Sequence, residues 1–192
     1  MPAKHGERKL QILQTLAQML QNPRAEKITT AALAAKLDVS EAALYRHFAS
    51  KAQMFEGLIE FIEESIFGLI NKITTDEKSG VKQLEAMLTM LLGFAEKNPG
   101  MTRVLIGDAL VNEDDRLQTR INQLHDRLEA SIKQALRFAS SQNELPTDMD
   151  AAAQANLLMC YVTGRWHQYA KSGFKRKPME YWAEQWREMI KS

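Results

Sequence analysis

An all-α fold is predicted for this 192-residue chain by three observations. Apolar residues recur about every 3.6 positions almost throughout, the period of a helix with one buried face. No stretch alternates apolar and polar residues as a half-buried strand does. Helix boundaries are written in as well, with Ser, Thr or Asp ahead of apolar runs and the breaks Asn22-Pro23 and Asn98-Pro99-Gly100 after them. About nine helices are expected, divided into a three-helix head at 1–50 and a helical body at 51–192. This length suits one well-buried domain with a small head, not two large independent domains.

The first helix presents Leu13, Leu16, Ala17 and Leu20 on one face and ends before Asn22-Pro23. Residues 29–51, TTAALAAKLDVSEAALYRHFASK, then carry the strongest signal. Thr29 is placed to cap a short helix whose Leu33 and Leu37 share a buried face, and Ala32, Ala34 and Ala35 bring no bulk that would hold a crossing helix away. Asp38-Val39 makes the turn, and Ser40 is a second N-cap. Leu44 and Phe48 then point to the core while Ala42, Tyr45 and Arg46 fall on the opposite side. This is a helix-turn-helix whose second helix exposes a small and basic face. Alanines let backbone approach base edges, Arg46 suits guanine or phosphate, and Tyr45, His47 and Lys51 suit backbone oxygens. Thr29, Thr30, Ser40, Glu41 and Ala43 complete the set expected to meet DNA.

Ser50 and Gln53 form a capping box that starts a fourth helix, striped by Phe55, Leu58, Ile62, Ile66 and Leu69 and closing near 71–75. Further helices are expected at 81–97, 102–110, 115–139, 150–171 and 178–190, with a polar loop at 140–148. The last pair is rich in large and small apolar residues. Ala155, Met159, Val162 and Trp166, with Trp182 and Trp186, have the look of a two-fold seam, beside Met179 and Met189 on the same pair.

Net charge is +1, but the distribution is uneven: residues 1–51 hold eight Lys and Arg against four Asp and Glu, leaving 17 and 20 for the remainder. A basic end on an acidic body is expected where only one end faces phosphate. Cys160, alone within the apolar run LLMCYV, reads as a buried inert thiol. His5, His47, His125 and His167 are too scattered for a metal set, and no Gly-rich phosphate loop or catalytic constellation is apparent. No cofactor and no enzymatic activity are expected. Apolar runs fall short of a membrane span and the first residues do not read as a signal peptide, so a cytoplasmic protein is expected.

LDVSEAALYRHFASK, between one helix and a longer one, resembles the DNA-binding domain of TetR-type regulators, in which YxHFxSK recurs. Two positions depart from the common pattern: Asp38 stands where the turn usually has Gly, and Ala49 where Pro is common. The N-terminal arm, with Lys4, Arg8 and Lys9, is less basic than the resemblance implies. Over 28–130 the likeness extends into the body, through LLGFAEKNPGMTRVLIGDAL and DRLQTRINQLHDRLEA, and is to the branch of the family that guards the nucleoid against septation. That resemblance implies a nucleoid-associated homodimer, paired through its last two helices, on palindromic double-stranded DNA, with more than one dimer possible per site. It also implies a partner, the tubulin-like division protein FtsZ. Phe61, at the edge of the fourth helix's stripe, and Gly93, Lys97 and Asn98, at the end of the fifth helix, are the surface residues expected to meet it. The alternative is a TetR-type repressor released by a small-molecule inducer. Leu84, Leu88, Leu91 and Leu92 offer such a ligand no evident polar partner.

Overall fold

The computed structural model describes residues 5–22 and 28–190; Lys4, Pro23, Arg24, Glu26 and Lys27 lie outside them. The described residues form α1 (His5–Met19), α2 (Thr30–Lys36), α3 (Glu41–Tyr45), α4 (Lys51–Asp76), α5 (Gly80–Lys97), α6 (Pro99–Leu105), α7 (Asp115–Ser141), α8 (Ala151–Lys171) and α9 (Trp182–Met189), with a 3₁₀ turn at Asp108–Leu110 and no strand.

Local chemistry sets most of these boundaries. Thr29 Oγ1 accepts the Ala32 N–H at 3.1 Å, and Ser40 Oγ accepts that of Ala43 at 3.3 Å. At the start of α4, Ser50 Oγ accepts the Gln53 N–H at 3.1 Å while Gln53 Oε1 accepts the Ala49 N–H at 2.8 Å, a capping box closed one residue early. Asp150 caps α8 through the Ala152 and Ala153 N–H groups.

Other boundaries differ from expectation. α5 ends at Lys97 with Asn98 as its C-cap, as expected, but the next helix opens at Pro99 rather than near 102, the proline's fixed φ and missing N–H costing nothing in a first turn. Tyr181 is left-handed, with φ +64°, so α9 begins only at Trp182 and Met179 precedes it. On α4 Ile70 is buried, whereas Leu69 is 44% exposed and leaves the predicted stripe.

Two compact units are formed. The first comprises residues up to 62 together with 99–121, and the second 63–98 with 122 onward, so α4 and α7 contribute to both. In the first unit Ile12, Leu16, Leu33, Leu44, Phe55 and Leu58 are buried. A Cβ on Gly100 would stand 2.0 Å from the Ala17 carbonyl oxygen, so α6 lies backbone to backbone on α1. Arg103 finishes that junction. Its Nη1 donates to the carbonyls of Leu20 and Asn22 at 3.3 and 3.2 Å, and its Nε to Asp108 at 2.7 Å, which satisfies acceptors that a helix end leaves open.

In the second unit α5 packs on α8. Trp166 is fully buried, donates Nε1–H to the Leu91 carbonyl at 3.2 Å and lies 5.9 Å from the His125 ring. The loop after α7 is tied to the start of α5. Gln142 accepts the Gly80 N–H and donates to the Lys78 carbonyl, and Glu144 accepts the Val81 N–H.

Candidate nucleic-acid interface

The helix-turn-helix is built by α2 and α3. Leu33, Ala34, Leu37 and Leu44 are buried, and Phe48 closes the core behind α3. Of the three alanines expected at the crossing, only Ala34 is buried; Ala32 and Ala35 are exposed. Asp38 takes the left-handed conformation, φ +53°, that the turn demands, which Asp tolerates better than most residues.

The outward face presents Thr29, Ser40, Glu41, Ala42, Tyr45 and Arg46 as exposed, with Thr30, Ala43 and His47 half-buried. Three of these side chains are joined. Tyr45 Oη donates to Thr30 Oγ1 at 3.4 Å, and Thr30 Oγ1 donates to Glu41 Oε2 at 2.6 Å. This link fixes the first turn of α2 against that of α3 and holds a carboxylate where the α3 N-terminus favours negative charge. Arg46, at the α3 C-cap, is exposed. Lys9 is brought to the same end by α1, its Nζ 5.6 Å from the Phe48 ring centre, and Lys36 is exposed in the last turn of α2.

The ammonium of Lys51, expected to meet DNA backbone, is paired with Glu113, with Nζ 5.6 Å from the centre of the Phe55 ring, and its side chain is 21% exposed.

Ala155, Met159, Val162, Trp166, Trp182 and Trp186, the residues expected at a two-fold seam, are all buried within the protomer, in its own core. Large apolar side chains at helical spacing serve an intramolecular face as readily as a partner's. The opposite stripe of α8 is open instead: Leu157 is 57% exposed, and Cys160, expected to be buried, is exposed beside it.

Gly93, Lys97 and Asn98 share one groove of about 420 Å³, with Leu69, Met90 and Phe94 also in its lining. Phe61 is half-buried and belongs to the other compact unit. Among the described residues no group of three His, Cys, Asp or Glu could hold a metal ion, and no helix is long and apolar enough to cross a membrane.

The described residues are all-helical and carry a helix-turn-helix, with α3 exposed after a turn capped by Ser40. Residues 25–58 match the family of bacterial regulatory proteins of tetR type, and 78–192 match the SlmA-like, tetracyclin repressor-like C-terminal domain. Relatives called nucleoid occlusion factor SlmA are 54% identical in Alteromonas mediterranea, across 97% of this chain and 96% of that one, and 52% identical in Marinomonas sp., across 97% and 94%. The chain belongs to the SlmA family of nucleoid occlusion factors. Its fold is shared more widely. A TetR transcription regulator from Haloarcula marismortui superimposes with TM-score 0.81 at 16% identity, covering 96% of this chain and 97% of that one. The fatty acid degradation regulator FadR from Bacillus halodurans gives 0.80 at 12%, covering 96% and 95%.

Proposed function

We propose that this chain acts as a homodimer on chromosomal palindromes and, when bound there, engages FtsZ and keeps it from assembling a septum over the nucleoid. The observation that carries this reading is the exposed Tyr45, Arg46 and alanine face of α3 in a chain about half identical to SlmA over nearly its whole length. Arg46 and Glu41 have the donor and acceptor chemistry to read guanine and cytosine edges, while Thr29, Tyr45 and His47 suit phosphate.

The partner surface is proposed at the groove of Gly93, Lys97 and Asn98, with Phe61 as a separate contact. Apolar Leu69 and Met90 with cationic Lys97 suit an extended segment bearing an apolar anchor and a carboxylate. A side chain added at Gly93 meets nothing within 4 Å, so the groove floor is open to an incoming backbone. The dimer seam is proposed on the outer stripe of α8, Leu157, Cys160 and Gly164, because the inner stripe is already used. Filling of the body's centre by Trp166 favours a protein partner over an enclosed inducer.

Sedimentation of FtsZ polymers with this protein, in the presence and absence of its palindromic DNA, tests the proposal. Less polymer in the pellet only when the DNA is present supports it. Unchanged polymer, together with release of the DNA by a small metabolite, would instead identify an inducer-controlled repressor.

A further inference from the structure

Lys51 opens α4 directly after the turn that leaves the recognition helix, the position from which a lysine would neutralise a DNA phosphate. Its ammonium is already matched. Glu113, 62 residues further along, places its carboxylate on Lys51 Nζ, and both side chains are sheltered, at 21% and 10% exposed. Glu113 is held in place by its own loop. Its N–H donates to the Leu110 carbonyl at 3.0 Å, and the preceding Asn112 is left-handed, with φ +64°, so the segment between the 3₁₀ turn and α7 is a defined turn. A carboxylate is thereby built into the first unit at the very lysine that DNA would claim.

We propose that Glu113 is an internal phosphate mimic that limits the electrostatic, sequence-independent part of DNA binding. The inference rests on DNA binding by the α2–α3 face. A phosphate near Lys51 must either displace the Glu113 carboxylate or approach it against like-charge repulsion. In both cases Lys51 releases less counterion than an unpaired lysine would, and affinity for any duplex falls. Arg46, Tyr45 and the α3 alanines are untouched by this exchange, so base readout keeps its full weight. A protein that must find a few palindromes among bulk chromosomal DNA is then less strongly drawn to the bulk.

The test measures binding of the full chain to a labelled duplex of unrelated sequence across a salt series. Glu113→Gln keeps the size of the side chain and removes its charge. It should bind several-fold more tightly at low salt, with a plot of log affinity against log salt steeper by about 0.9, the equivalent of one additional phosphate contact. In a Lys51→Ala background the same change should do nothing. Glu113→Asp, which keeps the charge but withdraws it by one methylene, should fall between parent and Glu113→Gln, and it decides the matter if Glu113→Gln lowers the melting temperature. An unchanged slope in both Glu113 variants, or an equal gain in the Lys51→Ala background, overturns the inference while leaving DNA binding intact. Failure of the parent to bind any duplex would sink the DNA-binding reading itself.

Discussion

Asp38 shows how one residue can be read correctly from its neighbours. A turn between two capped helices needs a left-handed residue, and Asp38 adopts φ +53° there without glycine. Thr29 is equally local. Its hydroxyl holds the Ala32 N–H, so Thr29→Ala should cost about 0.5 to 2 kcal/mol of stability in urea titration, without altering which sequence is preferred. Arg46→Ala separates two roles. If Arg46 reads a base, discrimination at one operator position should fall by about 1 to 3 kcal/mol across a panel of single-base variants; a uniform loss over all duplexes would make it a phosphate contact. Lys51 illustrates the limit of such reading. Its motif points to phosphate, but its partner Glu113 is 62 positions away and no local pattern announces it.

At the scale of elements, periodicity locates helices but not which of two apolar faces is turned inward. The two faces of α8 should therefore respond oppositely to substitution. Leu157→Glu should shift sedimentation from dimer toward monomer with folding retained, whereas Trp166→Ala should lose about 3 to 5 kcal/mol of protomer stability. Equal dimer loss from both would refute the placement of the seam. The cap of α8 adds a pH dependence. Hydrogen bonds from the Ala153 and Ala152 N–H groups hold the Asp150 carboxyl below its ordinary value, and a group lowered on folding contributes stability above the unfolded value, about 3.9. That contribution is lost as pH falls through the lower folded value. Asp114, held at about 2 by Arg116, follows the same sign. Asp150→Asn keeps the cap without the charge, so its melting temperature should depend less steeply on pH below about 4 than the parent's does.

At the scale of the whole molecule, DNA affinity should fall steeply with salt, and the preferred site should be a pseudo-palindrome with half-site centres about one helical turn, or a small multiple of it, apart. Lys97→Glu should weaken FtsZ binding and leave DNA affinity nearly unchanged, because Lys97 lines the Gly93 groove and not the α2–α3 face. By linkage, any tightening of FtsZ binding caused by DNA must return as an equal tightening of DNA binding by FtsZ, and unequal factors in matched titrations would exclude simple coupling.

Fold class, the helix-turn-helix and its caps are legible in the chain because they rest on spacings of three or four residues, which hydrogen bonding and amphipathicity impose locally. Gly93, Lys97 and Asn98 could be grouped for the same reason, since Gly93 and Lys97 are four residues apart on α5 and Asn98 is its C-cap. Long-range matters were decided only by tertiary structure: the burial of the Trp166 face, the exposure of Cys160 and Leu69, the seating of Gly100 on Ala17 and the capture of Lys51 by Glu113. Each depends on which of several chemically equivalent surfaces meet, and that is settled by close packing of the whole chain rather than by the preferences of any segment.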